Sequence, residues 1–234
     1  MLLYESKSAW RQALLAAYLR RKFRQRFYSV RVSGFDGWQD WLEREDSYPL
    51  VLFGNHQTWW DGLLDFMLTR HHQMDSRLMM EAKNLRKFPF FQKCGVFGVD
   101  LDSARSRAEG LLHACRLLDG ESSRRCLIIY PHGRLIPQWE KTPELQPGLA
   151  KILERVPQAN AIPVFRQFTF GKHELPEVEI HIGTPLVRDD PRGTKELNDA
   201  LHFAKEALNS RLSGNLDGFV HFLSHPVNRL RGET

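Results

Sequence analysis

The sequence predicts an α/β fold: a single domain with a mixed, mostly parallel sheet flanked by helices, preceded by a basic amphipathic helix at the N-terminus. Three observations predict it. Two continuous apolar runs, "YPLVLFG" at 48–54 and "RCLIIYP" at 125–131, read as strands buried on both faces, as parallel strands are. Strand-like and helix-like patterns alternate along the chain, which places helices on the faces of a sheet. A chain of 234 residues, 42% of them hydrophobic, suits one domain with a substantial core, and no repeat, low-complexity segment or linker divides it.

The elements follow in order. Residues 1–35 carry eight cations (Lys7, Arg11, Arg20, Arg21, Lys22, Arg24, Arg26 and Arg31) against one acid, Glu5. Over 6–27 the spacing predicts a helix with Trp10, Leu14, Ala17 and Phe23 near one face and arginines around the rest. That composition suits a helix lying on an anionic membrane; the alternative is a core-packed helix with a solvated basic face. "YSVRVSG" (28–34) alternates with period two and predicts an edge strand. A helix is expected over about 59–72, then a strand at "GVFGV" (95–99). "SRAEGLLHACRLLDG" (106–120) aligns Leu111, Leu112, Cys115 and Leu118 on one helical stripe that ends at Gly120. "PGLAKILERV" (147–156) sets Pro147 at a first helical position. "AIPVFR" (161–166) and "VEIHIG" (178–183) are further strands, with Pro163 implying an edge, a bulge or a strand end. The final helix, 194–212, repeats Leu197, Leu201, Ala204, Leu208 and Leu212. The chain thus divides into the helical segment 1–27 and a domain over 28–234.

Composition narrows the function classes. Three cysteines (Cys94, Cys115 and Cys126) in apolar or helical surroundings form no disulfide framework and point to a reducing, intracellular compartment. No CxxC or CxxH spacing and no acid cluster suggests a metal, so none is expected. The N-terminus shows no signal-peptide apolar stretch, and apolar runs such as "CLIIY" are too short to span a bilayer. A soluble or surface-bound protein is expected. The net charge of +5 suits anionic lipid, nucleic acid or the phosphates of coenzyme A. No nucleic-acid motif accompanies the basic residues, which crowd one terminal helix, so nucleic acid is not an expected partner.

The chemistry centres on "GNHQTWWDG" (54–62). A strand that ends at Gly54 and turns into a helix delivers the following residues to the C-terminal edge of the sheet, where open α/β folds bind ligands. Thr58 is an expected helix N-cap, with Asp61 at the third helical position. An Asp there can also accept a hydrogen bond from His56, fixing the tautomer and making the other ring nitrogen a better base. Capping accounts for Asp61 but not for His56 or Asn55.

With "NHQTWWD" the sequence resembles the NHxxxxD motif of the glycerolphosphate and lysophospholipid acyltransferase superfamily (PlsC-like). Four more blocks follow in the family's order: "GVFGVDL" (95–101), "YPHGRL" (130–135), "IPV" (162–164) and "IGTPL" (182–186). The resemblance implies an O-acyltransferase that moves a fatty acyl group from acyl-CoA or acyl-carrier protein to a hydroxyl of a lysophospholipid or glycerolphosphate-type acceptor. It implies His56 as general base with Asp61 beside it, no bound cofactor, and a peripheral enzyme on the cytoplasmic face of a membrane. No GxSxG elbow occurs, so direct attack without an acyl-enzyme is expected. Candidate acceptor contacts are Arg105, His132, Gly133 and Arg134. Trp59, Trp60, Phe88 and Lys83, with Phe90 and Phe91 nearby, are candidates for the acyl chain or donor.

The sequence departs from the family at the acceptor positions. Leu101 stands where the family has an arginine closing its second block, and His132 where the third block has an acid. Arg134 and Leu135 follow Gly133 in place of Thr and Arg. A non-phosphate lipid hydroxyl, as on a glycolipid or glycosylated terpenoid, therefore competes as the acceptor. The same residues also suit a thioesterase, with water as acceptor, or a lipid-binding relative with impaired catalysis.

Overall fold

A computed structural model of the chain describes residues 1–44, 46–214 and 219–224; the 225–234 end of the expected domain lies outside the described residues. Helix α1 (Ala9–Arg26) leads into β1 (Ser29–Ser33), α2 (Phe35–Leu42) and β2 (Leu50–Gly54). Then come α3 (Asp61–His71), β3 (Asp75–Glu81), α4 (Ala82–Lys87) and a 3-10 helix at Pro89–Cys94. β4 (Val96–Val99), α5 (Ala104–Leu118), β5 (Arg125–Ile129) and α6 (Gly148–Arg155) follow. β6 (Asn160–Thr169), β7 (Glu177–Ile182), α7 (Thr194–Ser213) and β8 (Phe219–Ser224) complete the described chain.

The strands form one eight-stranded sheet in the order β4-β3-β5-β2-β6-β7-β1-β8. Pairings of β2 with β5 and β6, of β3 with β4 and β5, and of β1 with β7 are parallel; β6 with β7 and β1 with β8 are antiparallel. This is the mixed, mostly parallel sheet that the apolar runs predict. All five residues of β2 are buried. Leu50 and Leu52 pack in the layer of α1, α2 and α3, while Val51 and Phe53 pack with α5, α6 and α7. A strand covered on both faces has no polar side to alternate, which is why its sequence is a continuous apolar run.

Several elements differ from expectation. β1 is not an edge, because β8 pairs along its outer side. Pro163 lies inside β6, between β2 and β7, rather than at an edge or end. The Ala161 N–H donates to Leu186 (3.0 Å), so the ring nitrogen of Pro163, two residues on, faces the same side. Pairing to β7 starts only at Val164, so no ladder donor is lost there. α2, β3, α4 and β8 are not among the expected elements, although α2 carries Trp38, Trp41 and Leu42 at helical spacing, all buried. In α5 the buried positions are Ser106, Gly110, Ala114 and Leu118, and Leu112 is exposed.

α1 is an integral part of the core. Its inward residues are Leu15, Ala16, Leu19 and Phe23, each large apolar one worth about 1.5–3 kcal/mol on burial. Of the expected face only Phe23 is buried; Trp10, Leu14 and Ala17 point outward, joined by Tyr18. The chain before the helix closes the sheet edge, with Leu3 and Gly98 exchanging backbone hydrogen bonds of 2.8 and 2.7 Å.

Candidate active site

The turn after β2 is built by close approach. A Cβ on Gly54 would lie 2.3 Å from the Val164 carbonyl oxygen and 2.5 Å from the Arg166 guanidinium, so only glycine fits. Asn55 is buried and clasps the backbone of Arg166, donating from Nδ2 to its carbonyl (2.8 Å) and accepting at Oδ1 from its N–H (2.9 Å). The Ile136 N–H donates to the His56 carbonyl at 2.7 Å, drawing the 133–136 segment beside the turn.

Asp61 is fully buried and accepts every hydrogen bond the turn offers it. Its Oδ2 accepts from the Gln57 N–H (2.6 Å), the Thr58 N–H (2.9 Å) and His56 Nδ1 (2.9 Å). Its Oδ1 accepts from the Thr58 hydroxyl at 3.1 Å. A carboxylate acting as acceptor places the imidazole proton on Nδ1 and leaves Nε2 as the basic nitrogen available to a substrate. The expected capping differs in detail. α3 begins at Asp61 itself, and the Thr58 hydroxyl, accepting from the Trp60 N–H at 3.1 Å, closes the preceding turn instead.

Behind this pair lies a buried network. The Tyr130 ring stacks on the His56 imidazole, centroids 4.3 Å apart and planes 11° from parallel. The Tyr130 hydroxyl donates to Asp65 Oδ2 at 2.6 Å, and Arg166 donates to Asp65 Oδ1. Arg166 also donates to the carbonyls of Asn55 and Val164, each at 3.3 Å, and its guanidinium lies 5.6 Å from the Tyr130 ring. Burial pushes the Asp65 carboxyl up, and Arg166 and Tyr130 oppose it. Burial also keeps the Tyr130 phenol protonated, its pKa raised well above the ordinary value. Sequence reasoning misses Asp65, Tyr130 and Arg166. The available signals are a second acid one helical turn after Asp61 and a lone arginine in the apolar strand "AIPVFR".

His56 opens on a cavity of about 550 Å3 that runs between α1, α3 and the β3–β4 edge, lined by residues such as Leu63, Phe66, Leu78, Met80, Phe91 and Ile128. Trp59, Lys83, Gly133 and Arg134 also line it. Gly133 adopts φ 73°, a left-handed conformation that favours glycine at this turn. Lys83 is paired with Glu81 at 2.5 Å and Arg134 with Glu140. Cys94 reaches the cavity too, but burial raises its thiol to about 11, so it offers no thiolate nucleophile near neutral pH.

Of the expected acceptor, acyl-chain and donor residues, Trp60, Phe88, Phe90, Arg105 and His132 are not on this wall. Trp60 packs in the core against Phe23 and Phe27, with ring centroids 5.8 and 5.4 Å away. Phe88 is exposed and stands behind two lining rings, Trp59 at 4.8 Å and Phe91 at 6.1 Å. Arg105 is exposed on α5 and pairs with Glu109 one helical turn on, at 2.7 Å. His132 is buried with neither ring nitrogen in a well-formed hydrogen bond; burial lowers its pKa, partly offset by the Pro143 backbone, and holds it neutral. Leu101 and Leu135, two of the departures from the family pattern, do line the cavity. Among the described residues no group of His, Cys, Asp and Glu is arranged to hold a metal ion.

An arrangement of a buried carboxylate, an oriented imidazole and an apolar cavity is one that can deprotonate a hydroxyl beside a long hydrocarbon. Among solved structures the chain is similar to the 1-acyl-sn-glycerophosphate (LPA) acyltransferase PlsC from Thermotoga maritima, with a TM-score of 0.53 and 15% identity over 86% of this chain and 78% of that one. The likeness shows a shared α/β fold. No protein-family model matches the sequence, and no curated protein does.

Proposed function

We propose that the protein is a lipid O-acyltransferase, moving a fatty acyl group from an acyl-CoA or acyl-carrier-protein thioester to a hydroxyl of a lipid acceptor. The observation that carries this reading is His56, fixed by Asp61 at 2.9 Å, at the wall of a 550 Å3 apolar cavity. An alcohol is too weak a nucleophile near neutral pH. His56 Nε2 takes its proton as the oxygen attacks the thioester carbonyl. The tetrahedral intermediate then expels the thiolate, which recovers that proton from the imidazolium. Asp61, hydrogen-bonded to Nδ1, stabilises the transient cation. General-base assistance of this kind is worth roughly 10²–10⁴-fold. The cavity holds the acyl chain, with Trp59 at its entrance.

The acceptor class that the sequence resemblance supports is a lysophospholipid or glycerolphosphate. The proposed place of work is a membrane surface, on the cytoplasmic side where acyl thioesters are made. No helix among the described residues is long and apolar enough to cross a membrane. The outward stripe of α1 supports surface binding instead: Trp10, Leu14 and Tyr18, all exposed, recur every four residues among the arginines.

The test is thiol release from acyl-CoA with and without a pool of lipid hydroxyls, followed by mass spectrometry of the lipids. Acceptor-dependent release with an acylated product supports transfer. Acceptor-independent release would make the protein a thioesterase, and no release would make it a lipid binder.

A further inference from the structure

We propose that a polar cleft, on the other side of the catalytic turn from the acyl cavity, binds a phosphate group of a substrate, with Lys141 and Lys205 as its cations. The role of that phosphate rests on the acyl-transfer reading, to which the cleft adds a second subsite.

The cleft has a volume of about 420 Å3 and shares a partition with the cavity. Asn55 and Gln57 line it on either side of His56, whereas His56 lines the cavity. The 133–138 segment divides in the same way. Gly133, Arg134 and Leu135 line the cavity, and Ile136, Pro137 and Gln138 line the cleft. The Ile136 N–H donates to the His56 carbonyl at 2.7 Å, which ties the two segments together. A substrate with its hydrocarbon in the cavity and its phosphate in the cleft therefore crosses the partition at His56.

The two hollows differ in chemistry. Of the residues that line the cleft, only Ile136, Pro137 and Phe165 are apolar. One wall is a face of α7, where His202, Lys205 and Asn209 recur at helical spacing. Lys205 is half-buried and Lys141 exposed, and among the described residues neither has an ion-pair or hydrogen-bond partner. The one carboxylate in the lining, Glu140, is shared with Arg134, whose Nη1 lies 3.2 Å from it. Three cations thus stand against one carboxylate. A phosphomonoester carries about −1.5 to −2 charge at neutral pH, which such a balance attracts. In an open cleft it keeps part of its hydration, so lysine ammoniums acting as point charges suffice. Gln57 adds a further group. Its Oε1 is buried without a protein partner and can accept from a substrate hydroxyl or amide N–H beside the turn. Two substrates can bring the phosphate: a lysophospholipid acceptor, or a donor built on coenzyme A or a carrier protein.

The test compares two matched pairs by calorimetry: lysophosphatidic acid with 1-oleoylglycerol in detergent micelles, and coenzyme A with pantetheine, which lacks the phosphates. The unaltered protein should bind the phosphate-bearing member of at least one pair more tightly. Lys141→Gln/Lys205→Gln should weaken that binding by more than about threefold, with roughly tenfold the expected loss for a charged contact. Both positions reach solvent, so the variant should fold, and the uncharged member should bind it as before. Lys195→Gln, which removes the same charge from α7 outside the cleft, should leave all binding unchanged. A loss in the first pair assigns the cleft to the acceptor, and a loss in the second assigns it to the donor. The proposal is overturned if the folded double variant binds both phosphate-bearing ligands within about threefold of the unaltered protein. Equal binding within both pairs by the unaltered protein overturns it too. If oleoyl-CoA passes no acyl group to either lipid, the acyl-transfer reading fails, while these binding measurements still decide the cleft.

Discussion

The Tyr130 ring lies face to face with the His56 imidazole, 4.3 Å away and 11° from parallel, while its hydroxyl donates to Asp65 at 2.6 Å. One side chain thus joins the proposed base to a charge network buried behind the sheet edge. The plane of the imidazole is set by Tyr130, and its rotation within that plane by Asp61. An imidazolium formed during turnover also rests on an electron-rich face.

Stacking and hydrogen bonding can be separated. Tyr130→Phe keeps the ring and strands one acceptor of Asp65, so it should lower stability by about 1–3 kcal/mol with a small change in kcat. Tyr130→Leu removes the platform and should lower kcat by roughly tenfold or more, because misplaced reacting groups lose much of their proximity advantage. Denaturant midpoints and kcat on the same samples distinguish the two. Equal kcat in both variants would reduce Tyr130 to packing.

The Asp65–Arg166 pair is about 1% exposed on each side. Removing one partner of a buried pair leaves a bare charge, so Asp65→Ala should lose about 3–5 kcal/mol. The double variant Asp65→Leu/Arg166→Met should lose less than that single change. A double-mutant cycle by urea unfolding measures the coupling, and additive losses would show that the two side chains act independently.

Much of this fold is legible in the sequence, for reasons specific to each element. β2 and β5 are visible because burial on both faces forbids polar residues. His56 and Asp61 are visible because the chemistry compresses them into one turn. The network is not, since Asp65, Tyr130 and Arg166 come from three elements and only the sheet brings them together. The expected face of α1 differs from the buried one because the helix carries apolar residues on both sides, and sequence alone does not say which of them meets the core. Arg105 resembles a phosphate ligand by proximity in sequence, yet the start of α5 turns it to solvent.

Stability should fall with mild acid. Burial lowers the His181 pKa from 6.5 to about 4, and burial with His71 and Arg124 lowers His72 likewise to about 4. Both folded values lie below the unfolded one. Their contribution is therefore intact above about pH 6.5 and is lost as the pH falls toward 4, while the unfolded chain takes up protons that the folded one refuses. Allowing for solvent screening at the partly exposed His72 and for relaxation around the buried His181, the loss is on the order of 1 kcal/mol for each. Urea unfolding at pH 7 and pH 5 should show it, and His181→Asn should remove about half the difference. An unchanged slope in that variant would assign the acid sensitivity elsewhere.

Surface binding by α1 has an apolar and a basic part. Trp10, Leu14 and Tyr18 to Ser should weaken sedimentation with anionic vesicles without unfolding the protein, because all three are exposed. Arg20, Arg21, Arg24 and Arg26 to Gln should weaken it by about 1 kcal/mol per charge, an effect that salt should mimic. Binding unchanged by both sets would remove the membrane role of this helix.

The central claim is that His56 is the base of an acyl transfer, and the most direct measurement is kcat/KM for His56→Ala with acyl-CoA and an accepted lipid hydroxyl. His56 sits on a turn, 25% exposed, so the variant should fold with an unchanged circular dichroism spectrum. Its kcat/KM should fall by roughly 10²–10⁴-fold, and Asp61→Asn should give an intermediate loss. A folded His56→Ala protein that transfers acyl groups within about threefold of the unaltered chain would contradict the account, since loss of a general base is worth far more than that.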